Sequence, residues 1–68
     1  MNKQLNQIKN WLLKNNYSFY ICNFVNSKGF VVNLEKCSEG ERIKKYIRKY
    51  YPDLNVEFRG SYTGIAIY

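Results

Sequence analysis

Histidine is absent from this sequence, and acids are scarce: five Asp/Glu stand against eleven Lys/Arg in 68 residues. The first absence removes the commonest general base and metal ligand. Among the acids Glu35, Glu39, Glu41, Asp53 and Glu57, no two are spaced for paired acid–base work. Glu39 and Glu41 suit the start of a helix, where negative charge is favoured, and Asp53 suits a turn after Pro52. Two cysteines, Cys22 and Cys37, cannot complete a four-ligand zinc site without histidine, and they read as free thiols of a reducing compartment. The four glycines are scattered, so no glycine-rich loop is available to cradle phosphate. The longest apolar stretch, around Tyr17 to Val25, is broken by Ser18 and Asn23 and falls well short of the ~20 residues of a bilayer-spanning helix. These absences argue against an enzyme, a cofactor, a metal, a small-molecule substrate and a membrane partner, and they suit a cytoplasmic protein.

Positive charge and aromatic rings are what the sequence has in excess. The net charge of +6 disfavours mimicry of an acidic partner and favours an anionic one. Twelve Phe, Trp and Tyr residues supply the core of a single small domain over residues 1–68. Such a domain buries only about 60% of the surface its unfolded chain exposes, so the core must be efficient. Asn, Lys, Ile and Tyr, which have A/T-rich codons, are heavily used. That usage points to an AT-rich genome, and small chains of this kind are common in bacteria, plasmids and phages.

Leu5, Ile8, Trp11 and Leu12 recur at helical spacing and predict a helix over 3–14, with Asn2 as its cap and Asn15-Asn16 as its end. Residues 17–25 and 30–35 predict a hairpin around Asn26-Ser27-Lys28-Gly29, a type I turn closed by a left-handed glycine. That turn sets Phe24 opposite Val32 and Cys22 opposite Leu34, so Tyr20, Cys22, Phe24, Phe30, Val32 and Leu34 share a core face. Ser38 and Glu41 form a capping box for a second helix, 39–50, which Pro52 ends. A second hairpin pairs 54–59 with 62–68 around Gly60-Ser61, with Leu54, Val56, Phe58, Ile65 and Ile67 inward.

The expected fold is α+β in the order α-β-β-α-β-β, a four-stranded sheet of two hairpins with both helices on one face. The first and fourth strands are the more apolar, whereas Glu35, Glu57 and Arg59 mark the second and third as edges; the strand order expected is therefore 2-1-4-3. Half-units of LAGLIDADG homing endonucleases share this element order. Residues Lys3 to Asn10, however, lack the small-residue packing motif and the metal-binding acid of that family, which excludes it. The double-stranded RNA-binding domain is excluded by its three strands between two helices.

The second helix concentrates the charge. Arg42, Lys44, Lys45, Arg48 and Lys49 surround an apolar stripe of Ile43, Tyr46, Ile47 and Tyr50. The stripe docks on the core, and the cations, with Lys28 in support, form a candidate phosphate-contacting surface. A merely solvated helix face is the plain alternative. The outer sheet face is the second candidate, since Tyr17, Phe19, Ile21, Val25 and Val31 cluster there with Arg59 and Tyr62, as at a protein interface. Two functional classes follow. One is a small protein that binds DNA or RNA through the basic helix. The other is a non-enzymatic interaction module, such as a regulator or inhibitor from a phage or other mobile element. Its sheet face would bind an anionic or nucleic-acid-binding protein or form a homodimer.

Overall fold

In the computed structural model, which describes residues 3–24, 27–60 and 63–68, helix α1 (Lys3–Lys14) has the bounds that its apolar spacing predicts. It ends in a Schellman motif. Asn16 takes a left-handed φ of 63°, Tyr17 N–H donates to the Leu12 carbonyl at 3.0 Å, and Asn16 N–H donates to that of Leu13 at 3.2 Å. The expected Asn2 cap lies outside the described residues. Strands β1 (Ser18–Phe24), β2 (Ser27–Asn33), β3 (Val56–Arg59) and β4 (Gly64–Ile67) form one antiparallel sheet in the order β1-β2-β4-β3, with helix α2 (Cys37–Tyr50) between the hairpins.

That order corrects the expected 2-1-4-3. The central strands are those buried on both faces: all four residues of β4 are buried, as are Gly29 to Val32 of β2. Strands covered on both sides read as continuous apolar runs rather than alternations. Glu35, which marked the second strand as an edge, lies beyond its end at Asn33.

The first hairpin also departs from its expected register. Phe24 pairs with Ser27, Ile21 with Phe30 and Phe19 with Val32. This five-residue shift is odd, so it turns β1 over. Phe19 and Ile21 now lie on the helix side with Phe30 and Val32, while Tyr20, Cys22 and Phe24 lie on the outer side. The cause is Gly29, which is not a left-handed turn residue but sits inside β2. A Cβ there would run into the Ile67 carbonyl, Tyr68 and the Phe24 ring. Only positions 25–26 remain for the connection, and they lie outside the described residues.

The second hairpin keeps its expected face. The expected pairing set Val56 opposite Ile65 and Phe58 opposite Thr63; Val56 instead pairs with Ile67 and Phe58 with Ile65, a shift of two residues, which preserves which side each residue faces. The Asn55 and Tyr68 backbones extend the pairing, Tyr68 N–H donating to the Asn55 carbonyl at 3.0 Å. Of the expected Gly60-Ser61 turn, Ser61 lies outside the described residues; Gly60 has φ 57°.

Both helices pack on the sheet face that carries Phe30, Val32, Ile65 and Ile67. Leu5, Ile8 and Leu12 of α1 join these residues, with Ile43 and Ile47 of α2, in one buried cluster. Helix α2 begins two residues earlier than expected, with Lys36 rather than Ser38 at its N-cap. Glu39, at the third helical position, accepts the Glu35 N–H at 3.2 Å, a reach-back from the position where a capping-box acid sits. The docked face of α2 is Gly40, Ile43 and Ile47, and Gly40 lets the helix close on Phe58 and Leu34. Tyr50, expected on that face, is instead 56% exposed.

Large-to-small changes should separate the two sheet faces. Ile47→Ala removes a fully buried side chain and should cost about 2–5 kcal/mol, whereas Phe24→Ala, half-buried on the outer face, should cost about 1 kcal/mol. Urea denaturation of the two variants checks the order.

Candidate nucleic-acid interface

With Gly40, Ile43 and Ile47 turned inward, helical periodicity sends Arg42, Lys45, Arg48 and Lys49 outward, and all four are exposed. Lys44 is half-buried and lays its Nζ 5.5 Å from the centre of the Phe58 ring, so its stem covers apolar surface at the β3 side. Lys49 Nζ sits 5.3 Å from the centre of the Tyr50 ring. Among the described residues, none forms an ion pair with Arg42, Lys45 or Arg48. Lys28 is exposed in β2 opposite Asn23, on an element other than the helical pair.

Helix α1 adds cations that sequence reading overlooked as part of this surface. Lys3, Lys9 and Lys14 are exposed, and the helix contains no acid. Eight of the eleven Lys/Arg and two of the five acids lie in the two helices. The helices therefore carry the whole net charge of +6, and the rest of the chain sums to zero. The signal was legible as an acid-free first helix. Packing on the same side of the sheet brings that helix beside α2.

An aromatic seam holds the two helices together. Trp11 of α1 stacks on Tyr46 of α2 with centroids 4.2 Å apart and planes 7° from parallel. Tyr50 and Tyr51 flank Tyr46 at 4.9 and 6.2 Å, and the Tyr51 hydroxyl donates to Gln7 Oε1 at 3.1 Å. Stacked pairs of this kind add about 0.5–1.5 kcal/mol beyond the area they bury. Burial, then the neighbouring Tyr51 and Tyr50, hold the Tyr46 phenol above its ordinary pKa. Beside the start of α2 a polar cleft of about 360 Å³ opens, lined by Asn33, Glu35, Glu39 and Arg42 and by residues 15–18. Among the described residues, no three His, Cys, Asp or Glu come together as a metal-holding group, and no helix is long and apolar enough to cross a membrane.

The residues expected to form a protein interface do not form one patch. Tyr17 and Phe19 pack against the core, Phe19 edge-on to Phe30 with centroids 5.2 Å apart. Ile21 lies on the helix side, 53% exposed, and Val31 is buried in the outer face at 5%. Arg59 is exposed on the outer face, and Val25 and Tyr62 lie outside the described residues. The flip of β1 is the reason, because each of its residues exchanged sides. The outer face carries different aromatics. Phe24 stacks on Tyr68 across Gly29, with centroids 4.3 Å apart, and Tyr20 is 52% exposed opposite Val31. The Tyr68 hydroxyl donates to the Glu57 carboxylate, and that bond, ahead of burial, raises the Tyr68 pKa.

No protein family, curated protein or solved structure matches this chain.

The raised Tyr46 pKa sets the sign of an alkaline dependence. The folded state holds the phenolic proton more tightly than the unfolded chain does. This contribution is complete below the unfolded pKa of about 10 and is lost as pH rises through the folded value. Stability should fall above about pH 10, and Tyr46→Phe should lessen that fall. Denaturation midpoints measured across the alkaline range for both proteins check this; equal losses would contradict it.

Proposed function

We propose that this chain is a small, non-catalytic, cytoplasmic nucleic-acid-binding protein that lays its helical layer against a phosphate backbone. One observation carries the reading: the two helices hold the entire net charge, and they present it on the same side of the sheet. Clustered exposed cations on one face are the electrostatic footprint of a polyanion site. Lys45 and Arg48 form the centre, Arg42 and Lys49 flank them, and Lys44 contributes from its place over Phe58. Lys3, Lys9 and Lys14 extend the field along α1. Lys and Arg held this way fix position and orientation on the backbone and read little base identity. Partner strands of DNA and of RNA are both within this chemistry.

The second reading is a protein-interaction module, a regulator or inhibitor of the kind mobile elements encode, acting through the sheet. It draws on the exposed Tyr20 and the Phe24–Tyr68 stack on the helix-free face. The two readings separate by mutation. Substituting Lys45 and Arg48 with Glu leaves that face untouched and removes the centre of the charged one.

Fluorescence anisotropy against duplex DNA, duplex RNA and single strands tests the proposal. With four exposed α2 cations on phosphate, log affinity against log salt should fall with a slope of about −3.6 on duplex DNA. Lys45→Glu with Arg48→Glu should weaken binding roughly tenfold or more at ~0.1 M salt, on all sequences alike, with the circular dichroism unchanged. Absence of binding at ~50 mM salt would contradict the proposal.

A further inference from the structure

The two edges of the sheet are unlike. Strand β3 is four residues long and alternates Val56 and Phe58 with the charged Glu57 and Arg59, a protected edge. Strand β1 is seven residues long, reads Ser-Phe-Tyr-Ile-Cys-Asn-Phe, and holds no charge, proline or glycine. Long uncharged strands rich in β-formers, placed at an edge, are templates for another strand, and unguarded ones aggregate. Along the free side of β1, backbone N–H and C=O groups alternate, and among the described residues no strand meets them. Its middle also exposes one large side chain on each face, Tyr20 at 52% on the outer side and Ile21 at 53% on the helix side.

We infer that β1 pairs antiparallel with β1 of a second copy, closing a two-fold dimer with one continuous sheet. Antiparallel pairing is self-complementary, because a strand laid against its own reversed copy matches donor to acceptor along its length. Centring the two-fold on Ile21 uses all seven residues. It sets Ile21 against Ile21 of the second copy on the helix side, and Tyr20 against Cys22 of the second copy on the outer side. Both exposed side chains are then covered. Charge selects the same surface. A chain of +6 repels its copies wherever the helices face, and β1 is an edge without charge. The two-fold axis stands perpendicular to the sheet, so both helical layers emerge on one side. Helix α1 is the helix beside β1, so its Lys3, Lys9 and Lys14 approach those of the second copy. Screening of that repulsion should tighten the dimer as salt rises, opposite in sign to phosphate binding. The dimer is independent of any nucleic acid.

Sedimentation equilibrium of nuclease-treated protein, from ~10 to ~500 µM at ~0.05 and ~0.5 M salt, tests this. The expected result is a closed monomer–dimer equilibrium that is tighter at the higher salt. Ile21→Lys, at a half-exposed position, should weaken it at least tenfold with unchanged circular dichroism, and Tyr20→Lys should do the same. In a Cys22→Ser, Cys37→Ser background, Ile21→Cys should give an intermolecular disulfide on mild oxidation. A monomer at every concentration would overturn the inference. So would association untouched by both lysine variants, open-ended assembly instead of a dimer, or association that disappears once nucleic acid is removed.

Discussion

A four-stranded sheet has two faces, and two short helices can cover only one of them. That limit organises this molecule. Ile8, Leu12, Ile43 and Ile47 bury against Phe30, Val32, Ile65 and Ile67 in a single cluster. The helices turn Leu5, Ile8, Leu12, Ile43 and Ile47 inward, and most of their cations are left on the outside. The Trp11–Tyr46 stack then fixes the helices to each other, so the charge of both belongs to a single layer. The uncovered sheet face meets the same limit differently. Phe24 and Tyr68 fold over Gly29, and Val31 and Ala66 are buried with no helix above them.

Function follows from how this arrangement separates chemistry. The helical side is cationic, the outer sheet side is aromatic, and one sheet edge is neutral and unguarded. Under the proposed function, the cationic layer would offer affinity for a polyanion without base reading. Doubling that layer through β1 would widen the charged surface without adding a single residue.

Legibility in the sequence followed physical ambiguity. Helix α1 was readable to the residue, because its 3.6-residue period and Asn16 leave one solution. The second hairpin kept its faces because Val56, Phe58, Ile65 and Ile67 alternate with polar or small residues. The first hairpin is ambiguous at two points. Residues 17–25 are apolar on both alternations, so the pattern does not say which side faces the core. Gly29 serves equally well as a turn residue or as a place of close approach, and the sequence alone does not separate these. Gly29 taken as a turn places Phe24 in the core and joins Tyr17, Phe19, Ile21 and Val31 in a patch that the fold divides. The basic face of α2 was legible because Ile43 and Ile47 fix the helix orientation. The share of α1 in that face depends on tertiary packing, as does the exposure of Tyr50.

The central claim is that the helical layer, and not the sheet, meets a polyanion. Backbone amide chemical-shift mapping during titration with a short DNA duplex tests it most directly. The account predicts shifts concentrated in α1 and α2, strongest around Lys45 and Arg48, with Val31, Ala66 and Tyr68 unmoved. Shifts centred on Tyr20, Phe24 and Tyr68, with the helices unmoved, would contradict it.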